Sequence, residues 1–224
     1  MQMHAGTHTI VNMWGMSLNI DTIYMTWITF CIIFVITYFA TRSKKLIPSG
    51  TQNVMEMLLE ALSSQMKEPL GKYFPRVSSL LFTFFFFILI SNELGLLPSP
   101  HILKSPTSDI NTTFALALVG TVLVWGVGFK IAGIGYLKHL FRPYSVFVIL
   151  NIIEELAKPI TLAFRLFGNI IAGEIMLELL YYLVPYGTPI IWLAFSLVVG
   201  LVQAFVFTIL VTSYLGRAIG EAQE

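Results

Sequence analysis

Four side chains stand where a helix crossing a bilayer should carry none. The apolar stretch from Ile160 to Val184 contains Arg165, Asn169, Glu174 and Glu178. A charge near the membrane midplane costs from about 3 to more than 10 kcal/mol, depending on how the cost is measured. Such groups therefore face a protein interior or a water-filled path, and function is their default explanation. The residue types divide the work. Arginine does not release its proton in a protein, so Arg165 can serve as a fixed positive gate but not as a relay. A carboxyl group exchanges its proton with passing water, so Glu174 can relay.

Spacing refines this division. At about 100° per residue, Asn169 lies about 40° from Arg165 and one turn along, so the two share a face with Ala172. Glu174 is about 180° round the helix from Arg165 and about 13.5 Å along it, which does not suit a direct pair. Glu174 and Glu178 share the opposite face at i,i+4 spacing. One regular helix would thus separate two polar environments, with Gly168 and Gly173 removing bulk so that water or another helix can come close. The competing reading is a buried arginine paired with a carboxylate to fix helix packing. Polar groups on two faces weigh against it.

Further along, Gln203 is the lone strongly polar residue of an apolar segment, with Ser196 two turns earlier on the same face and Gly200 beside it. A glutamine can cross-link helices as well as coordinate an arginine or a water chain. Before Pro159 stand Glu154, Glu155 and Lys158. The i,i+4 spacing of Glu154 and Lys158 predicts an exposed salt bridge, and Glu155 is a candidate for a path to the cytoplasm. Asn92 and Glu93 read as helix termination ahead of Gly95 and Pro98, with an entrance-lining role as the alternative. His4 and His8 have i,i+4 spacing and His101 and His139 fall in loops; none makes a metal site. No catalytic triad or phosphate loop is present, which argues for a non-catalytic chain without cofactor.

The elements that must hold these residues are membrane helices. Of 224 residues, 56% are hydrophobic and 11% charged, with mean hydropathy +0.80; soluble domains carry about 25% charged residues. The net charge of +1 implies no nucleic-acid partner, and the single cysteine, Cys31, can form no intrachain disulfide. Five spans follow from the apolar runs: Thr22 to Ala40, Val77 to Leu97, Asn111 to about Phe129, about Asn151 to Leu183, and Ile190 to Leu215. The first has no basic region before it and reads as a retained helix. Arg42, Lys44, Lys45, Lys67, Lys72, Arg76, Lys130, Lys138, Arg142 and Arg217 fall on one side and only Lys104 on the other. The positive-inside rule puts the N-terminus outside and the C-terminus in the cytoplasm.

Between the first two spans, Pro48 to Gly71 is too polar to cross. Val54, Leu58, Ala61 and Leu62 recur at helical spacing opposite Gln52, Glu56, Glu60, Ser63 and Lys67, which predicts an amphipathic helix at the cytoplasmic surface. The expected fold class is all-α: one transmembrane domain over 1–224, with an outer tail at 1–21, the amphipathic segment at 48–71 and ion-path helices at 151–215. No repeat or soluble domain is evident.

The segment Glu154-Glu-Leu-Ala-Lys-Pro-Ile-Thr-Leu-Ala-Phe-Arg165-Leu-Phe-Gly-Asn169-Ile-Ile-Ala-Gly-Glu174 resembles the signature of subunit a of the F-type ATP synthase. Leu201-Val-Gln203-Ala-Phe-Val-Phe is similar to that family's last-helix segment, Asn92 to Pro98 to its second-span end, and the amphipathic stretch to its membrane-surface hairpin. The resemblance implies a stator beside the rotating c-ring, with Arg165 facing the rotor's ion-binding carboxylate and Asn169 and Gln203 near that contact. It implies that Glu174 lines an outer half-channel and that the last two helices are long and tilted along the ring. Some relatives have a histidine where Ser196 stands, and serine cannot titrate in its place; Glu178 then becomes a candidate second outer carboxylate. The implied partners are the c-ring, the b subunits of the peripheral stalk, other ATP synthase subunits and the bilayer, with a bacterial plasma membrane as location. A secondary transporter or ion channel is the alternative, but transporters usually show paired repeats and broken helices, and neither is visible here.

Overall fold

The computed structural model describes residues 10–13, 16–42, 50–96, 104–133, 135–136 and 147–222. Lys44, Lys45, Pro98, Lys138, Arg142 and all four histidines lie outside them. Five helices are long and apolar enough to cross a membrane: α1 (Ile20–Arg42), α3 (Phe74–Leu96), α4 (Ile110–Ala132), α5 (Val148–Leu183) and α6 (Thr188–Glu221). The amphipathic helix α2 (Thr51–Leu70) precedes α3, and a 3-10 turn, Gly71–Tyr73, joins them. Gly71 sits at φ 48°, a left-handed conformation that ends α2 at Leu70 and turns the chain towards α3.

The N-terminal tail departs from expectation. Ile10–Met13 (β1) pairs antiparallel with Met16–Asn19 (β2), Ile10 opposite Asn19 and Met13 opposite Met16. Two residues ending in glycine separate the strands in sequence, a spacing that suits a tight hairpin. The expectation of an outer tail over 1–21 carried no secondary structure, because four-residue strands give little periodic signal.

At 36 and 34 residues, α5 and α6 are each about 50 Å long, well beyond the roughly 30 Å of hydrocarbon. Helices of this length fit only if steeply tilted or projecting from the bilayer. The core lies where α3, α4, α5 and α6 meet, around Leu81, Phe85, Ile88, Ala117, Leu162, Leu166, Phe207 and Val211. Lipid is as apolar as leucine, so close approach and internal polar bonds hold such a bundle. A Cβ added at Gly120 would sit 3.3 Å from Val211 Cγ2, and one at Gly200 3.3 Å from Asn92 Cβ. Outside the spans, Asp109 caps α4 by accepting from the backbone N–H of Asn111 and ties in the end of β2 and the start of α1 by accepting from Asn19 Nδ2 at 2.7 Å and Thr22 Oγ1 at 3.1 Å.

The expected apolar stripe of α2 is split between two surroundings. Leu62, Met66 and Leu70 are buried together with Gln52, whereas Val54, Met57 and Ala61 are exposed. The helix has two apolar faces, one against the bundle and one outward; Leu62 of the expected stripe belongs to the inner face, and Val54 and Ala61 belong to the outer one. Gln52 is accommodated by donating to Glu56 at 2.8 Å.

Candidate functional site

Helix α5 runs without a break through Pro159, which is buried. Beyond it, Arg165 is exposed. Thr161, Phe164, Gly168, Ala172 and Met176, three or four residues apart along the same side, are exposed too. This is an apolar strip with one guanidinium in it. Among the described residues no carboxylate pairs with Arg165. A Cβ at Gly168 would meet nothing within 4 Å, so the strip is open to a close neighbour from outside the chain.

On the other flank of α5, a cavity of about 130 Å³ opens between α3, α5 and α6. That is room for several waters. Asn92, Asn169, Glu174, Trp192 and Ser196 supply its polar wall. Asn92 is fully buried; its Nδ2 donates to the Gly200 carbonyl at 3.3 Å and its Oδ1 accepts from Thr107 Oγ1 at 3.0 Å. It therefore cross-links α3 to α6 besides lining the cavity, a role that neither sequence reading of it offered. Trp192 Nε1 donates to the Gly173 carbonyl at 3.2 Å, bonding α6 to α5 next to Glu174. Sequence reasoning missed this residue. The available signal was the rule that an indole N–H among apolar neighbours seeks an acceptor.

The structure brings Asn169, Glu174 and Ser196 to one cavity and leaves Arg165, Gln203 and Glu178 off its wall. The expected separation of Asn169 from Glu174 is thus corrected: Asn169 and Ala172, on the side of α5 that adjoins Arg165, share a cavity with Glu174. Gly173 stands between them with no side chain, and the cavity wraps round α5 through that gap. Glu178 is half-buried one turn further on. Gln203 is buried in α6, and its Nε2 has no hydrogen-bond partner among the described residues. A buried unspent donor is costly, at about 1–3 kcal/mol, so its retention at this level of α6 calls for a use.

A second polar group lies towards the start of α5. Glu155 pairs with Lys158 and accepts from Trp125 Nε1 at 3.0 Å, beside a water-sized cavity of about 10 Å³ that Tyr214 also lines. The expected Glu154–Lys158 bridge does not form. Glu154 instead reaches Arg217 of α6 at 2.9 Å, an exposed pair, and Lys158 turns inward to Glu155 and the Tyr214 ring. Burial, then the Glu155 and Glu221 carboxylates, push the phenol of Tyr136 well up, so it stays neutral.

The family model for the ATP synthase A chain matches residues 23–216. This chain belongs to the ATP synthase A chain family. It is 40% identical over 214 residues to an ATP synthase subunit a from Desulforamulus reducens, covering 91% of this chain and 80% of that protein. It is likewise 40% identical over 217 residues to one from Acidothermus cellulolyticus, covering 93% and 80%. A subunit a from Streptococcus agalactiae is 33% identical over 238 residues, covering 99% of this chain and all of that protein. ATP synthase A chain membership makes the chain a multi-pass membrane protein and the proton-translocating stator subunit of the synthase's membrane sector. The transporter or channel reading is not favoured.

Proposed function

We propose that this chain couples proton flow to rotation through two offset half-channels separated by Arg165. The observation that carries the reading is the exposure of that guanidinium, unpaired among the described residues, on an apolar strip of α5. A permanent charge in that position needs an anionic partner supplied by another chain, and the ionised carboxylate of a c-subunit ring meets the need. Protons enter from outside through the cavity that holds Glu174, Asn169 and Ser196, with Glu178 as a second outer carboxylate. They neutralise a ring carboxylate, travel almost a full turn, and leave by a separate cytoplasmic path for which Glu155 is the candidate. Arg165 opposes direct passage and attracts the ring carboxylate only when it is ionised, so an arriving protonated site is driven to release its proton. Gln203, with its unspent amide donor, serves the Arg165 contact or the water chain beside it. A leak past Arg165 would dissipate about 2.3 kcal/mol per charge per 100 mV without turning the ring.

This reading assigns the N-terminus to the outside of a bacterial plasma membrane and the C-terminus to the cytoplasm, treats residues 1–224 as one domain, and leaves ATP chemistry to other subunits. The b subunits cover surface away from the Arg165 strip. A cross-link tests it. In a Cys31→Ser background, Gly168→Cys in the assembled complex is expected to form a disulfide with a cysteine placed beside the ring carboxylate, whereas Val122→Cys, on an exposed part of α4, is not. The reverse pattern overturns the reading.

A further inference from the structure

At the corner where α2 turns into α3, three basic side chains gather around two rings. Lys72 Nζ lies 5.3 Å and Arg76 Cζ 5.8 Å from the centroid of Tyr73, and Lys67 Nζ lies 6.0 Å from that of Phe74. All three cations are exposed. None pairs with a carboxylate among the described residues, and Glu68, although it lines the adjoining groove, bridges to none of them. Like charges held at one ring repel one another, and the face of the ring offsets only part of that repulsion.

Beside them lies an open groove of about 410 Å³, walled by Glu68, Gly71, Lys72 and Tyr73 on one side and by Gly216 and Gly220 of α6 on the other. A Cβ at Gly71 or Gly220 would meet nothing within 4 Å, so neither position crowds the groove. Its depth in the bilayer follows from sequence. Arg76 is the last charge before the apolar run that starts at Val77, and the groove's far wall is formed by the final turns of the spanning helix α6. Lys72 lines this polar groove and Arg76 stands beside it across the Tyr73 ring, at headgroup level and on the side to which the basic loops assign the cytoplasm, where anionic lipids give the membrane its negative surface.

We propose that this corner is a binding site for a phosphate anion, and that the phosphodiester headgroup of an anionic phospholipid is its occupant. Lys72 and Arg76 contact the phosphate, Lys67 adds to the local field, and the lipid's acyl chains run down beside α3. The inference goes beyond proton translocation, since none of these residues belongs to the proposed ion path.

The test uses the whole complex in mixed vesicles of phosphatidylglycerol and phosphatidylcholine, with spin-labelled versions of each lipid and a fluorophore attached near the corner. Wild type is expected to show quenching by labelled phosphatidylglycerol but not by labelled phosphatidylcholine. A juxtamembrane basic residue contributes roughly fivefold to such binding, so the double variant Lys72→Gln/Arg76→Gln is expected to lose roughly 25-fold in apparent affinity. Lys72→Arg should retain it, and Glu68→Gln should tighten it. Inorganic phosphate separates the sources: failure to displace the lipid supports a headgroup site, and displacement at cellular phosphate levels assigns the site to the free anion and overturns the lipid assignment. Equal quenching by both lipids, or an unchanged double variant, refutes the site. Unchanged lipid binding with loss of another subunit on purification would assign the patch to a protein contact and equally refute it. Coupled pumping reads out the ion path independently, so the two readings fail separately.

Discussion

Trp192 donates its indole N–H to the carbonyl of Gly173 at 3.2 Å, joining α6 to α5 one residue before Glu174. The bond holds α6 against α5 beside the cavity that Glu174 lines. A single such bond is worth about 1 kcal/mol. Trp192→Phe keeps most of the apolar contact and removes the donor, so the complex should assemble normally. Proton-driven ATP synthesis in membrane vesicles is expected to fall severalfold, and an unchanged rate would make the bond incidental to transport.

Glu174 lines the cavity and Glu178 does not. Glutamine keeps the shape of either side chain but cannot carry a proton. Glu174→Gln is therefore expected to lower proton-driven synthesis by about 100-fold or more, the usual scale for loss of a positioned proton-transfer group. Glu178→Gln should cost clearly less. A wild-type rate in Glu178→Gln removes that residue from the path, and equal losses would mean that the outer route extends beyond the cavity.

Two glycines separate effects inside the chain from effects outside it. A Cβ at Gly95 would lie 2.5 Å from Ser105 Cβ and 3.2 Å from Ser105 Cα, in the segment whose Ser105 hydroxyl donates to the Ser91 carbonyl. Gly95→Ala should destabilise the detergent-solubilised subunit by about 1–3 kcal/mol, seen as a lower unfolding temperature. Gly168 meets nothing of its own chain. Gly168→Leu should leave that temperature unchanged yet depress coupled pumping, because the added bulk lies where a ring helix is proposed to pass. Full pumping in Gly168→Leu would place the partner elsewhere.

The spans and the polar residues of α5 were legible because both are local signals: about twenty apolar residues make a crossing helix, and an arginine within one stands out without knowledge of its neighbours. Pairings between helices were not legible. Glu154 has Lys158 four residues away yet bonds Arg217, which is 63 residues distant, because α6 lies against that side of α5 and Lys158 is drawn inward by Glu155 and Tyr214. The stripe of α2 was legible only in part. Leu62 meets the bundle together with Met66 and Leu70, whereas Val54 and Ala61 of the same expected stripe face outward. Sequence periodicity gives a helix its stripes without saying which stripe another helix will cover. Asn169 joined Glu174 because Gly173 opens the wall between them, an effect that helical angles alone do not capture.

The position of Arg165 carries the most weight, and its replacement is the most direct test. In reconstituted vesicles holding the whole complex, Arg165→Ala is expected to abolish ATP-driven proton pumping and to raise passive proton leak through the membrane sector, with the subunit still incorporated. Pumping that remains coupled to ATP hydrolysis in Arg165→Ala would contradict the gate.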